Sequence, residues 1–539
     1  MASTKVGKFT VNISTGAQAI TGVGFQPKLV FFWGHELANN SGNELRRAFG
    51  CATSSTARWC TSTGVRCSTS PVQQQHFYTN RCLAWDVAPT GAARVALDFT
   101  SMDADGFTVN VVTALTVDIY YFAVGGTDVS AKVGTFNSST TSGATQSVTG
   151  VGFQPSLVLF SRDATNTTTT SQNESHWAVG MATSTSARAT TGFYCEGNNP
   201  SPVHSFQRTD KVAAMISSSA FNQTADISSF DADGFSLSWD LAPATAAIYG
   251  YVALGGSAVY NVFNFSGRTT NGLQAVTGVG FKPQAIVMFS NGQSASNSLI
   301  RTGDHLLTGA ATATVTGSTC HWIPSSSSST TMPLQGFSDE AVYIKRDETG
   351  VTNLVSVGYW SSFDTDGFTL NWTSTDGVAN HIVGFAIREN TSATTVPVSG
   401  VFGAGAVGST TVVAKAGVTI TGLAATSALG SVTVSTAIRT LVSASGVQAN
   451  TAVGALTVTG TASVTPSGVA ATAFVGPVTI PVPVVRGIPI SLPAMIMAPA
   501  RGVHVELPLF GVMPSFTPDH TNTAADPSQP TRWTNVLPP

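Results

Sequence analysis

Residues 148–160 read VTGVGFQPSLVLF, and nearly the same words stand at 20–32, ITGVGFQPKLVFF, and at 276–289, VTGVGFKPQAIVMF. Gly24, Gly152 and Gly280 are spaced by 128 and 128 residues. A second phrase travels with the first: FTSMDADGFTVN from Phe99, SSFDADGFSLSWD from Ser228 and SSFDTDGFTLNWT from Ser361. Its opening aspartates, Asp103, Asp231 and Asp364, lie 128 and 133 apart, and Phe9, Phe136 and Phe263 recur every 127. The ends agree as well, in YYFAVGG, YGYVALGG and HIVGFAIRE. Residues 1–392 therefore divide into three tandem modules, 1–128, 129–257 and 258–392. A period this long predicts complete domains, because about 128 residues can bury some two-thirds of their unfolded surface.

Inside a module the hydrophobic period is two. Phe235, Leu237 and Trp239 point one way and Ser236, Ser238 and Asp240 the other, and Phe368, Leu370 and Trp372 repeat the pattern. Leu157-Val158-Leu159-Phe160 reads differently, as a strand covered on both faces. Short alternating strands separated by Gly, Pro and Asx turns predict an all-β chain of antiparallel, jelly-roll-like β-sandwiches. No stretch carries a helical stripe.

Charged residues make up only 10% of the 539, and the net charge is −3, so the chain shows no electrostatic footprint for nucleic acid. At 42% apolar with 29 Phe it is not disordered by composition. The N-terminus MASTKVGKFTVN lacks the apolar core of a signal peptide, and the most apolar run, 478–497, is broken by four prolines and Arg486. Membrane insertion is not expected. Cys51, Cys60, Cys67, Cys82, Cys195 and Cys320 fall at unmatched places in the copies, which argues against a shared disulfide or metal framework and for free thiols.

After Val396 the composition turns to Ala, Gly, Val, Thr and Ser. GVFGAGAVG at Gly400, GLAATSALG at Gly422, GVQANTAVG at Gly446 and GVAATAFVG at Gly468 recur every 22 or 24 residues, each followed by a β-rich run. Units so short cannot bury a core alone, so they must stack along an axis or wind with sister chains. Residues 398–480 are expected to form a repetitive β stalk and a trimerisation region. From Pro477 onward 13 of the 25 prolines fall within 63 residues. Segment 481–539 is thus expected to be an extended arm that gains order by docking on another surface.

Candidate chemistry is sparse. GVGF lacks the following helix and GK[ST] ending of a phosphate loop and reads as a glycine turn. The D-x-D-G aspartates Asp103, Asp105, Asp231, Asp233, Asp364 and Asp366 are either hairpin formers or calcium ligands. The missing further oxygens and position-twelve Glu favour the hairpin. No other acid recurs at matching places, no HExxH, GxSxG or CxxC occurs, and His76 and His204, 128 apart, meet Met332 at the third offset. Neither enzymatic activity nor a cofactor is expected. The polar segments that differ among copies, from Gly34, Ser161 and Ser290, are the candidate binding loops. In or beside them His35, Glu36, Trp59, Trp177, Tyr194 and Asp304 are the candidate contacts. Trp59, Trp177 and Tyr194 are either sugar-stacking platforms or ordinary core and rim aromatics.

TGVGFQP before an apolar strand, then SFDADGFSLSW, then an alternating strand ending in GG, resembles a repeat module of bacteriophage virion proteins. The Ala/Gly/Val/Thr repeats are similar to low-complexity β repeats of phage structural proteins, cyanophage ones included. The resemblance implies a virion fibre or tail-appendage subunit, assembled in the host cytoplasm, that attaches to host-surface glycan and meets other virion proteins through 481–539. Its alternatives are a capsid decoration or head-fibre protein and a surface-polysaccharide depolymerase.

Overall fold

The computed structural model describes residues 2–389 apart from 39–43, 67–71, 88–91, 164–174, 196–203, 218–219, 295–300, 303, 324–333 and 347–353. Between 396 and 479 it describes the backbone of short strands. The arm expected at 481–539 and Cys67 lie outside the described residues. No helix occurs among the described residues, and the fold is all-β.

The first module runs β1 (Ala2–Thr10), β2 (Gly16–Thr21), β3 (Pro27–Ala38), β4 (Glu44–Ala52), β5 (Arg58–Arg66), β6 (Val72–Tyr78), β7 (Leu83–Val87), β8 (Ala92–Asp103), β9 (Gly106–Thr113) and β10 (Asp118–Gly126). Two antiparallel sheets result, one of six strands in the order β1-β10-β3-β4-β5-β6 and one of four in the order β2-β9-β8-β7. The second and third copies, opening with strands Val129–Asn137 and Val259–Ser266, repeat both sheets. One short strand crosses copies: Arg301–Thr302 of the third pairs with His204 and Ser205 at the edge of the second.

Each sheet pair encloses its own core, as the period of two requires. Phe32, Trp85, Phe99 and Phe107 fill the first, Phe160, Phe235, Leu237 and Trp239 the second, Phe368, Leu370 and Trp372 the third. The six-stranded sheets have a second buried face. Phe31, Phe49 and Phe122, Leu159 and Trp177, and Phe289 and Phe385 belong to one hydrophobic cluster drawn from all three copies. Phe49 stacks edge-on against both Trp177 and Phe289, at 6.3 and 5.8 Å between centroids. The doubly covered strand read from Leu157–Phe160 has this cause: Val158 and Phe160 face their own sandwich, Leu157 and Leu159 the shared core. Residues 1–390 form one compact unit in which three sandwiches surround a common interior.

The three contacts around that interior are made by corresponding positions with different residues. Trp59, Ala189 and Gly317 hold the same place, opposite Cys51, Met181 and Ala310 of the preceding strand. Tyr120, Gly250 and Val383 likewise share a place, opposite Trp33, Ser161 and Phe289. Trp59 of the first copy lies over Gly250 of the second, where a Cβ would come within 2.5 Å of the indole, and its Nε1 donates to the Tyr251 carbonyl at 3.1 Å. Gly317 of the third copy receives Tyr120 of the first, its hypothetical Cβ 2.8 Å from the ring. At the remaining junction Ala189 and Val383 are both buried in the shared core. A large ring lies on a glycine at two junctions, in opposite senses, and smaller side chains fill the third. The closure is head to tail, so each module presents two different surfaces.

Beyond residue 395 the pairing is parallel. Val396, Val418, Val442 and Val464 align in one ladder, and Thr411, Thr433, Thr457 and Thr479 in another. Steps of 22, 24 and 22 residues separate them, the spacing of the glycine repeats. The rungs therefore stack along an axis within one chain, and each internal rung finds its backbone partners there without sister chains.

Candidate functional site

At one end of every module the two repeated phrases meet. Asp105 accepts the backbone N–H groups of Gly22 (3.0 Å) and Gly24 (2.6 Å). Asp233 does the same for Gly150 and Gly152, and Asp366 for Gly278 and Gly280, with matching distances of 3.0 and 2.5 Å. The first aspartate of the motif works locally. Asp103 accepts the Ser101 and Thr108 hydroxyls, Asp231 those of Ser229 and Ser236, and Asp364 those of Ser362 and Thr369. Those donors hold the Asp364 carboxyl below its ordinary range, the Thr369 hydroxyl first, and the Gly152 and Gly150 amides do the same for Asp233. Each motif thus makes a hairpin, Asp231 pairing with Gly234, and clasps the TGVGF loop to it.

Glycine is required at the motif's last position for a steric reason. Gly234 has φ +143°, and a Cβ there would overlap the Val148 carbonyl, as at Gly106 with Ile20 and at Gly367 with Val276. The carboxylates proposed as calcium ligands are occupied by these donors, and no cluster of three or more His, Cys, Asp or Glu suited to a metal occurs among the described residues.

The opposite end carries the variable segments. Strand directions put the strand ends that flank them in the first module, Ala38 and Glu44, Arg66 and Val72, Val87 and Ala92, at that end. The chain enters at Ala2, passes between modules near Gly126 and Gly256, and leaves strand His381–Arg388 at the clasped end. Variable loops and chain exit are on opposite ends of unit 1–390.

Under the variable segments each sandwich holds a buried polar cluster of its own. In the first module Glu36 accepts from Arg46 (3.1 Å), Arg94 (3.1 Å) and Trp85 Nε1 (3.0 Å). Nearby, Asp86 takes a hydrogen bond from the Tyr78 hydroxyl and lies 2.8 Å from His76 Nδ1. In the third, Lys345 donates to Asp376 at 2.6 Å and to Asn380 at 3.2 Å. Burial alone would push the Asp376 carboxyl up, yet the Lys345 ammonium holds it below its ordinary value. In the second, Arg162 at the end of strand Pro155–Arg162 donates to Gln223 and to the Tyr249 hydroxyl, and its guanidinium lies over the Tyr249 ring.

The residues singled out from the sequence separate accordingly. Trp59 and Trp177 are buried in the shared core, Trp177 under the Arg47 guanidinium at 3.6 Å, so neither is open to stack on a ligand. Tyr194 is buried beside His176, and His35 is stacked on Phe337 of the third module at 4.2 Å. Burial pushes the His35 and His176 imidazoles down to about 3, so both are neutral wedges between modules. Glu36 joins the first cluster; Asp304 opens strand Asp304–Thr312, and its side chain lies outside the described residues. His76 and His204, though 128 apart, are not counterparts. His76 pairs with Ser62, whose equivalent Gly192 pairs with Phe206.

Arg162, Arg47 and Lys345 escaped notice because each is charged in one copy only. For Arg162, a lone charge in the otherwise uncharged strand Pro155–Arg162 of a charge-poor chain is the signal that points to it. Cys51, Cys60, Cys82, Cys195 and Cys320 are buried, and burial pushes the thiols of Cys51, Cys60, Cys82 and Cys320 upward, away from reactivity. Comparisons with protein-family models, with curated proteins and with solved structures return no match.

Proposed function

We propose that this chain is a structural subunit of a bacteriophage particle, a fibre or tail appendage whose variable loops contact the host surface. The observation that carries the proposal is polarity. The strand ends that flank the variable segments lie at one end of the three-sandwich body, and the chain leaves that body from the other end. Loops on a rigid scaffold are where recognition concentrates, and three unlike loop sets on one body suit multivalent contact with a glycan-coated surface. The sequence resemblance to phage virion modules points the same way, as does a charge-poor surface without a nucleic-acid footprint. In this reading 396–479 is a spacer and 481–539 seats the subunit on other virion proteins.

Replacing residues 164–174 with a Gly/Ser linker of equal length tests the reading. Particles form normally and adsorb to host cells at least about tenfold less well. Unchanged adsorption overturns the attachment role; fragile particles point to capsid decoration, and oligosaccharide release from host envelope by the purified chain points to a depolymerase. The homotrimer expected from the sequence is tested by light scattering of the purified protein. Rungs paired within one chain do not require sister chains, so the expected mass is that of the monomer, 55.5 kDa; a trimer mass restores the sister-chain stalk.

A further inference from the structure

The three buried clusters provide an internal control. In the first module the buried cation Arg46 meets Glu36 at 3.1 Å, and in the third Lys345 meets Asp376 at 2.6 Å. Arg162 of the second module is as deeply buried, 1% exposed, and its partners are neutral: the Gln223 amide oxygen and the Tyr249 hydroxyl. Its Nε–H has no acceptor at all among the described residues. Asp163, next in sequence, is buried just past the strand's last residue and forms no ion pair with it. The corresponding places in the other modules hold no charge. Gly34 there is packed against Ile119 and Trp85, and Ser290 donates to the His381 carbonyl. Arg162 is therefore a cation introduced into one copy, without the carboxylate that its two sister clusters include. A buried guanidinium is costly unless paired, and its planar fork matches a carboxylate.

We propose that the mouth of the second sandwich is a subsite for a carboxylate-bearing ligand, in which Arg162 supplies the ion pair and Tyr249 and Gln223 orient the guanidinium. Its place at the variable end makes the ligand the carboxylate of an acidic saccharide, and that identification, unlike the anion subsite itself, rests on the surface-attachment reading. The other two modules, with their cations already neutralised from within, do not share the preference.

Isothermal titration of the purified full chain with glucuronate, with acetate and with glucose tests the subsite. Saturable binding of glucuronate, weaker binding of acetate, none of glucose, and loss of the signal in Arg162→Met are the expected results. Arg162→Met keeps its thermal midpoint or raises it, because the unpaired charge is gone. Should that variant fail to fold, Arg162→Lys gives the same decision: it keeps the charge, loses the fork, and binds about tenfold more weakly. Absence of glucuronate binding, or binding that Arg162→Met and Arg162→Lys leave unchanged, overturns the proposal. Acetate binding as tight as glucuronate keeps the anion subsite and removes the saccharide. No host surface enters this measurement, so its failure leaves the adsorption test standing, and failed adsorption leaves the subsite standing.

Discussion

Two regions of this chain solve the same problem, the unpaired surface of a repeated β unit, in opposite ways. Between 396 and 479 the rungs stack in parallel register, and two ladders run like on like, valine over valine and threonine over threonine. Modules in 1–390 close a ring of three, and there unlike residues meet at corresponding places: Trp59 on Gly250 and Tyr120 on Gly317, with Ala189 and Val383 in the same core. Translation rewards sameness. Closure of a ring from one chain has a fixed order, and unlike junctions specify that order by making every wrong pairing either a clash or a void.

The largest effect is expected at a junction. Trp59→Ala empties a fully buried place in the shared core and should cost about 3–5 kcal/mol in chemical denaturation. A loss under about 1 kcal/mol would mean that the sandwiches stand alone and the ring is incidental. Next come positions the copies share. Gly234→Val should cost about 1–3 kcal/mol through forced positive φ and overlap with the Val148 carbonyl, and Gly106→Val and Gly367→Val should match it. Unequal losses would show that the clasps are not equivalent. The smallest effect is expected in the rungs. Deleting 418–441, one 24-residue step from Val418 to just before its partner Val442, removes a rung in register and should shift the thermal midpoint by only a few degrees. Collapse of the chain's circular dichroism would instead reveal a stack that tolerates no omission.

Legibility followed the same division. The D-x-D-G hairpins were plain because Asp and Gly are dictated by the turn itself, and the strands because burial on one face imposes a period of two. Even the doubly buried strand was visible in Leu157–Phe160. What covered its second face was not, since Trp59 reaches the Tyr251 carbonyl across 192 residues and no periodicity links them. The clasp was half legible. Both phrases were seen to recur together, but nothing local says that Asp233 receives the Gly150 and Gly152 amides 83 and 81 residues away. Aromatics beside variable segments were ambiguous for a similar reason, as a Trp bound for an interface and one bound for a ligand look alike until their neighbours are known.

By itself the sequence determined the repeat, its count, the strands, the hairpins and the 22- and 24-residue rungs, because local sterics and alternating burial act on neighbours along the chain. Tertiary structure alone decided that three sandwiches share one interior, that the strand ends flanking the variable segments lie away from the chain's exit, and that Arg162 is buried without an ion-pair partner. Those outcomes depend on which surfaces meet. Surfaces far apart in the chain carry no mark of one another until the fold brings them together.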